Sequence, residues 1–142
     1  MDVKALRLTP QQDLKAELDA FAYQSSLEAG CIVTCVGSLS RAVLRFAGES
    51  AESVCEGKFE IVSLTGTLSR HGSHYHICLA DSTGQTLGGH LLKGCLIYTT
   101  AEIVVGILPD LSFRREHDPI TGYRELAIYS TDTPTPEMRS PN

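Results

Sequence analysis

One segment of helical periodicity is followed by a long series of β-forming segments, and this order constrains the fold more than any other feature of the chain. The β-forming segments are rich in valine, isoleucine, threonine and aromatic residues, and residues typical of turns separate them. A sheet covered on one face by a single helix satisfies this order. We therefore expect an α+β domain of two layers, in which one long N-terminal helix packs on a mainly antiparallel sheet. The expected strands cover residues 31–36, 41–46, 59–68, 74–80, 87–92, 95–108 and 123–129.

The helix is expected between Thr9 and Gly30. The sequence Thr9-Pro10-Gln11-Gln12 combines a capping threonine, a proline at the first helical position and a glutamine three residues after the cap. Gly30 is expected to end the helix, because glycine readily adopts the left-handed conformation found there. Four apolar residues recur at helical spacing and predict the face that packs on the sheet: Leu14, Leu18, Phe21 and Ala22.

The length and composition are those of one ordinary domain. The chain has 142 residues, of which 42% are hydrophobic, enough for a single packed core. We expect the domain to cover residues 1–130, followed by a disordered tail over 131–142 that is nearly devoid of apolar residues. The net charge of −5 gives no overall attraction to nucleic acid or to an anionic membrane, so direct DNA binding is not expected.

The cysteines and the N-terminus favour a cytoplasmic protein. The five cysteines are an odd number with irregular spacing, and residues 1–8 lack the apolar segment of a signal peptide. No apolar run approaches the roughly 18–20 residues that cross a bilayer, so no membrane partner is expected. Cys31 and Cys35 lie four residues apart in an expected strand, about 13 Å along its axis, which is too far for one ion. We interpret the cysteines as reduced, small core residues.

Three histidines within seventeen residues form the strongest candidate site. His74 and His76 are two positions apart in an expected strand, so their side chains lie on the same face, which Cys78 shares. His90 follows Gly88-Gly89 on the next expected strand, across a turn at 81–84, and the glycines permit a bulge or a close backbone approach. Neutral imidazole suits zinc and related divalent ions, and three such ligands leave a coordination position open. The alternative is that all three are ordinary half-buried strand residues.

Several charged residues are candidates for the surroundings of this site. Metal-bound histidines usually donate their other ring N–H to an acceptor, and Glu60, Asp81 and Glu102 are the candidates for that role. Glu60 or Glu102 is also a candidate general base. Arg45 is a pocket candidate, and with three other arginines it forms either an anion-binding cluster or a solvated surface: Arg114, Arg115 and Arg124. His71 and His117 are expected to be solvated loop residues.

Taken together, these motifs resemble those of a known family. The residues that carry the resemblance are Gly37-Ser38-Leu39, the stretch from Gly57 to Leu68, His74-Tyr75-His76, Leu79-Ala80-Asp81, Gly88-Gly89-His90-Leu91, Gly94-Cys95, Thr99-Thr100-Ala101-Glu102, Phe113-Arg114-Arg115-Glu116, Asp118-Pro119 and Thr121-Gly122-Tyr123. They are similar to the plant-and-prokaryote-conserved domain, called PPC or PCC, and the match covers about residues 3 to 130. The resemblance implies a homotrimer of two-layer α/β domains, with a metal ion held through residues matching His74, His76 and His90.

The resemblance also leaves two functions open. In the plant members the domain accompanies AT-hook motifs, which bind A·T-rich DNA, while the domain itself serves protein association. An AT-hook needs an Arg-Gly-Arg core for the minor groove, and the sequence contains no Arg-Gly-Arg. The first hypothesis is therefore a trimeric zinc-binding domain with a small-molecule pocket. The second is a DNA-associated or protein-interaction module in which the histidines are structural.

Overall fold

Strands dominate the computed structural model, which describes residues 1–131 of the chain. The tail predicted for 131–142 therefore lies outside the described residues, apart from Thr131. Within the described part, no helix is both long and apolar enough to cross a membrane. The elements in chain order are β1 (Asp2–Leu8), α1 (Leu14–Gln24), β2 (Gly30–Arg45), β3 (Ser53–Ser69), β4 (Gly72–Ala80), β5 (Thr86–Leu91), β6 (Leu96–Ile107), β7 (Leu111–His117) and β8 (Arg124–Ser130).

A six-stranded sheet forms the body of the domain, in the order β1-β6-β2-β3-β4-β5, and β7 and β8 form a separate hairpin. Neighbouring strands pair in the antiparallel direction. The end of β2 also pairs with β5, through Leu44 opposite Leu91 and Arg45 opposite His90. This second pairing bends β2, whose register shifts between Leu39 and Arg41. The sheet therefore curls until β2, β3, β4 and β5 form a closed ring of strands.

The core lies between the inner face of this curled sheet and the helix. Leu14, Leu18 and Ala22 are the buried residues of α1. Burial of one large aliphatic side chain contributes about 1.5–3 kcal/mol, so this stripe is enough to hold a short helix on the sheet. The sheet contributes fully or almost fully buried residues from every strand of the ring and from β6, among them Leu39, Leu44, Leu68, Tyr75, Leu79, Leu91, Ile97, Ile103 and Val105.

The predicted fold class, α+β with one long N-terminal helix on a sheet, is wrong. The chain is mostly antiparallel strand, and its helix has only 11 residues. The helix begins after Asp13 rather than at Thr9, because the Asp13 carboxylate accepts a hydrogen bond from the backbone N–H of Ala16. The side chain of Gln12 instead accepts hydrogen bonds from the backbone N–H and the hydroxyl of Thr9, outside the helix.

The helix ends six residues before the glycine that was expected to stop it. The backbone N–H of Leu27 donates to the carbonyl of Ala22, and that of Ser26 donates to the carbonyl of Tyr23. These two bonds, with Ser26 at a positive φ of 51°, form a Schellman motif. A serine seldom adopts this conformation, so the sequence carried little signal for it, and Gly30 instead begins β2.

Two strands were missing from the predicted set. β1 pairs with β6 along its whole length, from Asp2 opposite Ile107 to Leu8 opposite Ala101. β7 pairs with β8, from Leu111 opposite Ser130 to His117 opposite Arg124. Both strands are at least partly exposed along one face, so neither shows the continuous apolar run that marked β6. Their pairing comes from partners distant in the sequence or beyond a turn, which local periodicity does not report.

The cap of α1 gives a direct test of where the helix begins. We expect Asp13→Ala to lower the free energy of unfolding by about 1–2 kcal/mol, because it removes the cap of α1. It also removes the acceptor that holds the backbone N–H of Gly94 at 2.6 Å. The control Thr9→Ala should change the free energy by less than about 0.5 kcal/mol. Urea denaturation measures both, and a larger loss for Thr9→Ala than for Asp13→Ala would contradict this helix start.

Candidate metal centre

Strict alternation along β4 puts two of the candidate histidines on the outer face of the sheet. Tyr75, Ile77 and Leu79 are buried in the core, whereas His74 and His76 are exposed. Because strand side chains alternate between faces, burial of the first set fixes the direction of the second. The hydrophobic core therefore determines which way the imidazoles point.

The turn between β4 and β5 sets the register that brings the third histidine to the pair. The carboxylate of Asp81 accepts hydrogen bonds from the hydroxyl and backbone N–H of Thr83 and from the backbone N–H of Gln85. These bonds close the predicted turn, and His76 then lies directly opposite His90. The same bonds, that from the Thr83 hydroxyl first, lower the pKa of Asp81, so this carboxylate serves the turn.

Two glycines allow β5 to approach both of its neighbours. A Cβ atom on Gly88 would lie 2.7 Å from the carbonyl oxygen of Ile77 on β4, and one on Gly89 would lie 2.7 Å from that of Arg45 on β2. Both distances are shorter than any real Cβ contact, so the close approach that the Gly88-Gly89 pair predicted is present. The result is that His90 lies between β4 and β2.

The three imidazoles converge. Their ring centroids are 4.9 Å apart for His74 and His76, 4.8 Å for His74 and His90, and 4.6 Å for His76 and His90. One nitrogen from each ring lies within 4.8 Å of the others. The closest pair, Nε2 of His74 and Nδ1 of His90, is 3.1 Å apart. Two imidazole nitrogens on a tetrahedral zinc ion are about 3.3 Å apart, given Zn–N distances near 2.0–2.1 Å. The His74–His90 spacing is therefore close to that of a zinc site, and the third donor, from His76, lies within 4.8 Å of both.

Two of the rings, those of His74 and His90, have lowered pKa values, which favour the neutral form of imidazole. The pKa of His74 is lowered by burial first, and then by the charges of His76, Arg115 and Arg45 against the opposing effect of Glu125. The pKa of His90 is lowered by burial first, then by Arg45, His76 and His74. Neutral imidazole is the form that binds a metal ion, because the donor nitrogen must carry a free lone pair. Lowered pKa values keep that form present at neutral pH.

A cleft of about 770 Å³ opens beside the histidines. His74 and His90 form part of its wall, together with Arg45 from β2 and Arg115 and Glu125 from the β7–β8 hairpin. Arg45 was predicted to be a pocket residue, and it lines this cleft. Glu125 was missed, because its approach depends on the docking of a hairpin that no local pattern places.

The carboxylates proposed for the surroundings of the site lie elsewhere. Glu60 is exposed on β3 opposite Ala80, at the far end of β4 from His76, about 13 Å along the strand. Glu102 is exposed on β6 opposite Arg7, on a strand that carries none of the three histidines. Asp81 belongs to the turn described above. The structure therefore does not bring these three carboxylates to the imidazoles.

The other candidates fall outside the cluster. His71 contacts the carboxylate of Glu28 at 3.4 Å, as does Arg114 at 3.2 Å, so these two side chains belong to an ion cluster near the β7–β8 hairpin. His117 is exposed at the end of β7. All five cysteines are free thiols, with Cys35 and Cys95 buried in the core and the rest half-buried. Burial raises the pKa of both core thiols to about 11, so neither is a reactive nucleophile.

Comparisons with known proteins agree on one family. Residues 1–109 match the model of the Plants and Prokaryotes Conserved (PCC) domain. A solved structure of a hypothetical protein from Salmonella enterica is 45% identical, with a TM-score of 0.90 over 92% of this chain and 94% of that one. A metal-containing protein from Archaeoglobus fulgidus is 24% identical, with a TM-score of 0.77 over 89% and 94% of the two chains, and shares the fold.

One group of similar proteins is much longer. Bifunctional protein GlmU from a Synechococcus strain is 49% identical over 128 residues, which are 90% of this chain but 20% of that protein. The chain thus spans about a fifth of the length of these curated relatives. The similarity therefore concerns a domain and not the whole of those proteins.

The electrostatics of the site give a pH-dependent prediction. In metal-free protein, the imidazole signals of His74 and His90 should titrate below the ordinary value of about 6.5 in an NMR pH series. Arg45→Gln should raise the pKa of His90, because it removes a neighbouring positive charge that disfavours imidazolium. Burial remains, so the value should still stay below 6.5. A His90 pKa that is unchanged in this variant would contradict the placement of Arg45.

Proposed function

This chain belongs to the Plants and Prokaryotes Conserved domain family, and we propose that it is a metal-binding member in which His74, His76 and His90 together hold one divalent transition ion. Zinc is the ion that we propose. The convergence of three imidazoles within 4.8 Å on an outer sheet face carries the proposal. None of the three side chains belongs to the hydrophobic core of the described residues.

The chemistry of the donor set supports zinc. Three neutral imidazoles are a common ligand set for zinc sites that keep a position open to water or a ligand. When bound, such an ion polarises an oxygen ligand and lowers the pKa of coordinated water. The three histidines, placed by the β4–β5 register, would hold the ion beside the adjacent cleft. The metal-containing relative from Archaeoglobus supports the view that this fold can hold a metal.

We further propose that the domain assembles as a homotrimer. The outer face of the sheet carries apolar side chains without a partner in the described chain, including Val36 on β2 at 58% exposed and Val62 on β3 at 57%. β1 is paired on one side only, by β6, so its other edge is open. Exposed strand edges and apolar faces favour association, and closed symmetric assembly covers both.

Direct DNA binding is not part of this proposal. Affinity for DNA rests on neutralising phosphates with lysine and arginine, and this chain carries a net charge of −5. The family's plant members owe their DNA contact to a separate motif that this sequence does not contain. The five free thiols support a reducing compartment, and we propose a cytoplasmic location.

Metal content tests the site. Purified protein equilibrated with zinc and desalted should retain about one ion per chain by elemental analysis, as expected for a single three-ligand site. His76→Ala and His90→Ala should each lose most of it. The matched control His117→Ala removes an exposed histidine outside the cluster and should retain the ion. Equal zinc content in all four proteins would rule out the proposed site.

Light scattering tests the assembly. At low micromolar concentration the protein should have three times the 15.4 kDa mass of one chain. Val36→Glu should shift the distribution toward smaller species, because it buries a charge in the proposed interface. The control Ile120→Glu changes a residue that is 93% exposed in the β7–β8 turn and should remain trimeric. A strictly monomeric mass for the unmodified protein would contradict the trimer.

A further inference from the structure

Three arginines line the cleft without a carboxylate partner. Arg45, Arg115 and Arg124 form no ion pair within 4.0 Å among the described residues. Arg124 donates to the backbone carbonyl of Arg115, which fixes its position and leaves its charge unmatched. By contrast, the fourth cation of the cleft, Lys15, is paired with Asp19 at 2.6 Å.

Two of these arginines flank the histidine cluster on opposite sides. Arg45 lies directly across from His90 in the β2–β5 register, where neighbouring side chains contact each other. On the other side, Arg115 donates a hydrogen bond of 2.9 Å to the hydroxyl of Thr67, the residue opposite His74 in the β3–β4 register.

Arg115 is also partly removed from water. It is half-buried, and this burial lowers the pKa of its guanidinium. A desolvated charge is stabilised by an anionic partner, and the nearest influence of that kind is the single carboxylate of Glu125. Lys15 is already neutralised by Asp19, so the three arginines of the cleft face two carboxylates, those of Glu49 and Glu125. The cleft is thus positive in a chain whose net charge is −5.

We propose that the cleft binds a small organic anion carrying at least two acidic groups, which are carboxylates or phosphates. This inference rests on the proposed metal site, since one oxygen of the anion would occupy the coordination position that three imidazoles leave open. Arg45 and Arg115 would bind the anionic oxygens on either side, and guanidinium groups match carboxylate and phosphate oxygens in paired hydrogen bonds.

The placement of the two arginines favours a ligand with two acidic groups over one such as acetate. Arg45 lies beside His90, and Arg115 donates to Thr67 beside His74, so the histidine cluster lies between the residues that place the two guanidinium groups. A ligand with one acidic group near each guanidinium can contact both. The volume of about 770 Å³ lies within the range of small-molecule sites.

Cobalt-substituted protein gives a test that separates this inference from the metal site itself. The visible absorption of bound Co²⁺ reports both its binding and the entry of a new ligand. Malonate with two carboxylates, methylenediphosphonate with two phosphate-like groups, and acetate with one carboxylate are titrated into cobalt-loaded unmodified protein and into Arg45→Gln, Arg115→Gln and Arg7→Gln. The Arg7 variant is the matched control, because Arg7 is an exposed arginine on β1 outside the cleft. Circular dichroism confirms that each variant is folded.

The proposal predicts that malonate or methylenediphosphonate changes the cobalt spectrum at a lower concentration than acetate does. Affinity should fall about tenfold in Arg45→Gln, as expected for loss of a charge-assisted hydrogen bond, and stay within about twofold in Arg7→Gln. The tighter of the two anions identifies the class as carboxylate or phosphate. Because Arg45 makes no side-chain hydrogen bond in the described residues, this variant remains informative even if Arg115→Gln does not fold.

Other results overturn the inference. If cobalt binds normally but neither anion perturbs its spectrum, or if Arg45→Gln and Arg7→Gln behave alike, the anion site is wrong and the metal site stands. If no cobalt spectrum appears before any anion is added, the metal site is wrong and the anion inference falls with it.

Discussion

The pairing of β5 with both β4 and β2 is the constraint on which the site depends. Burial of Tyr75, Ile77 and Leu79 fixes the faces of β4, and a one-residue shift in register would turn both histidines of β4 into the core. The backbone approaches at Gly88 and Gly89 then place His90 between its two neighbours. The packing of the core and the convergence of the three histidines therefore depend on the same strand register. A shift in that register would change both.

The positive charges around the histidines also affect what the site can bind. Burial first, and then neighbouring positive groups, lower the pKa of His74 and His90, which favours the neutral form that binds a metal, yet the same positive charges would repel a bound cation. An anion that contacted both the ion and the arginines would remove this conflict. The proposed metal site, the arginines without an ion pair and the cleft would then be consistent with one another, which is why we propose a ligand-binding role.

The candidate site was more predictable from sequence than the fold around it. The shared face of His74 and His76 follows from the alternation of side chains along a strand. The turn at Asp81 and the glycine pair before His90 indicated that the third histidine lies on the next strand, close to the other two. The true cap at Asp13, the Schellman motif at Ser26 and the pairing of β1 with β6 depend on tertiary contacts or on a rare serine conformation. The predicted carboxylates, those of Glu60, Asp81 and Glu102, do not lie beside the histidines, for a related reason. Local sequence patterns do not show which face of a curled sheet a side chain occupies or how far along the sheet it lies.

X-ray absorption spectroscopy of zinc-loaded protein tests the central claim most directly, because it counts and identifies the atoms bound to the ion. Three imidazole nitrogens, as expected for His74, His76 and His90, together with one oxygen ligand, should appear at about 2.0–2.1 Å. Cys78 lies on the same face of β4 and is the rival ligand that the strand offers. A sulfur shell near 2.3 Å, or fewer than three imidazoles, would contradict the three-histidine centre.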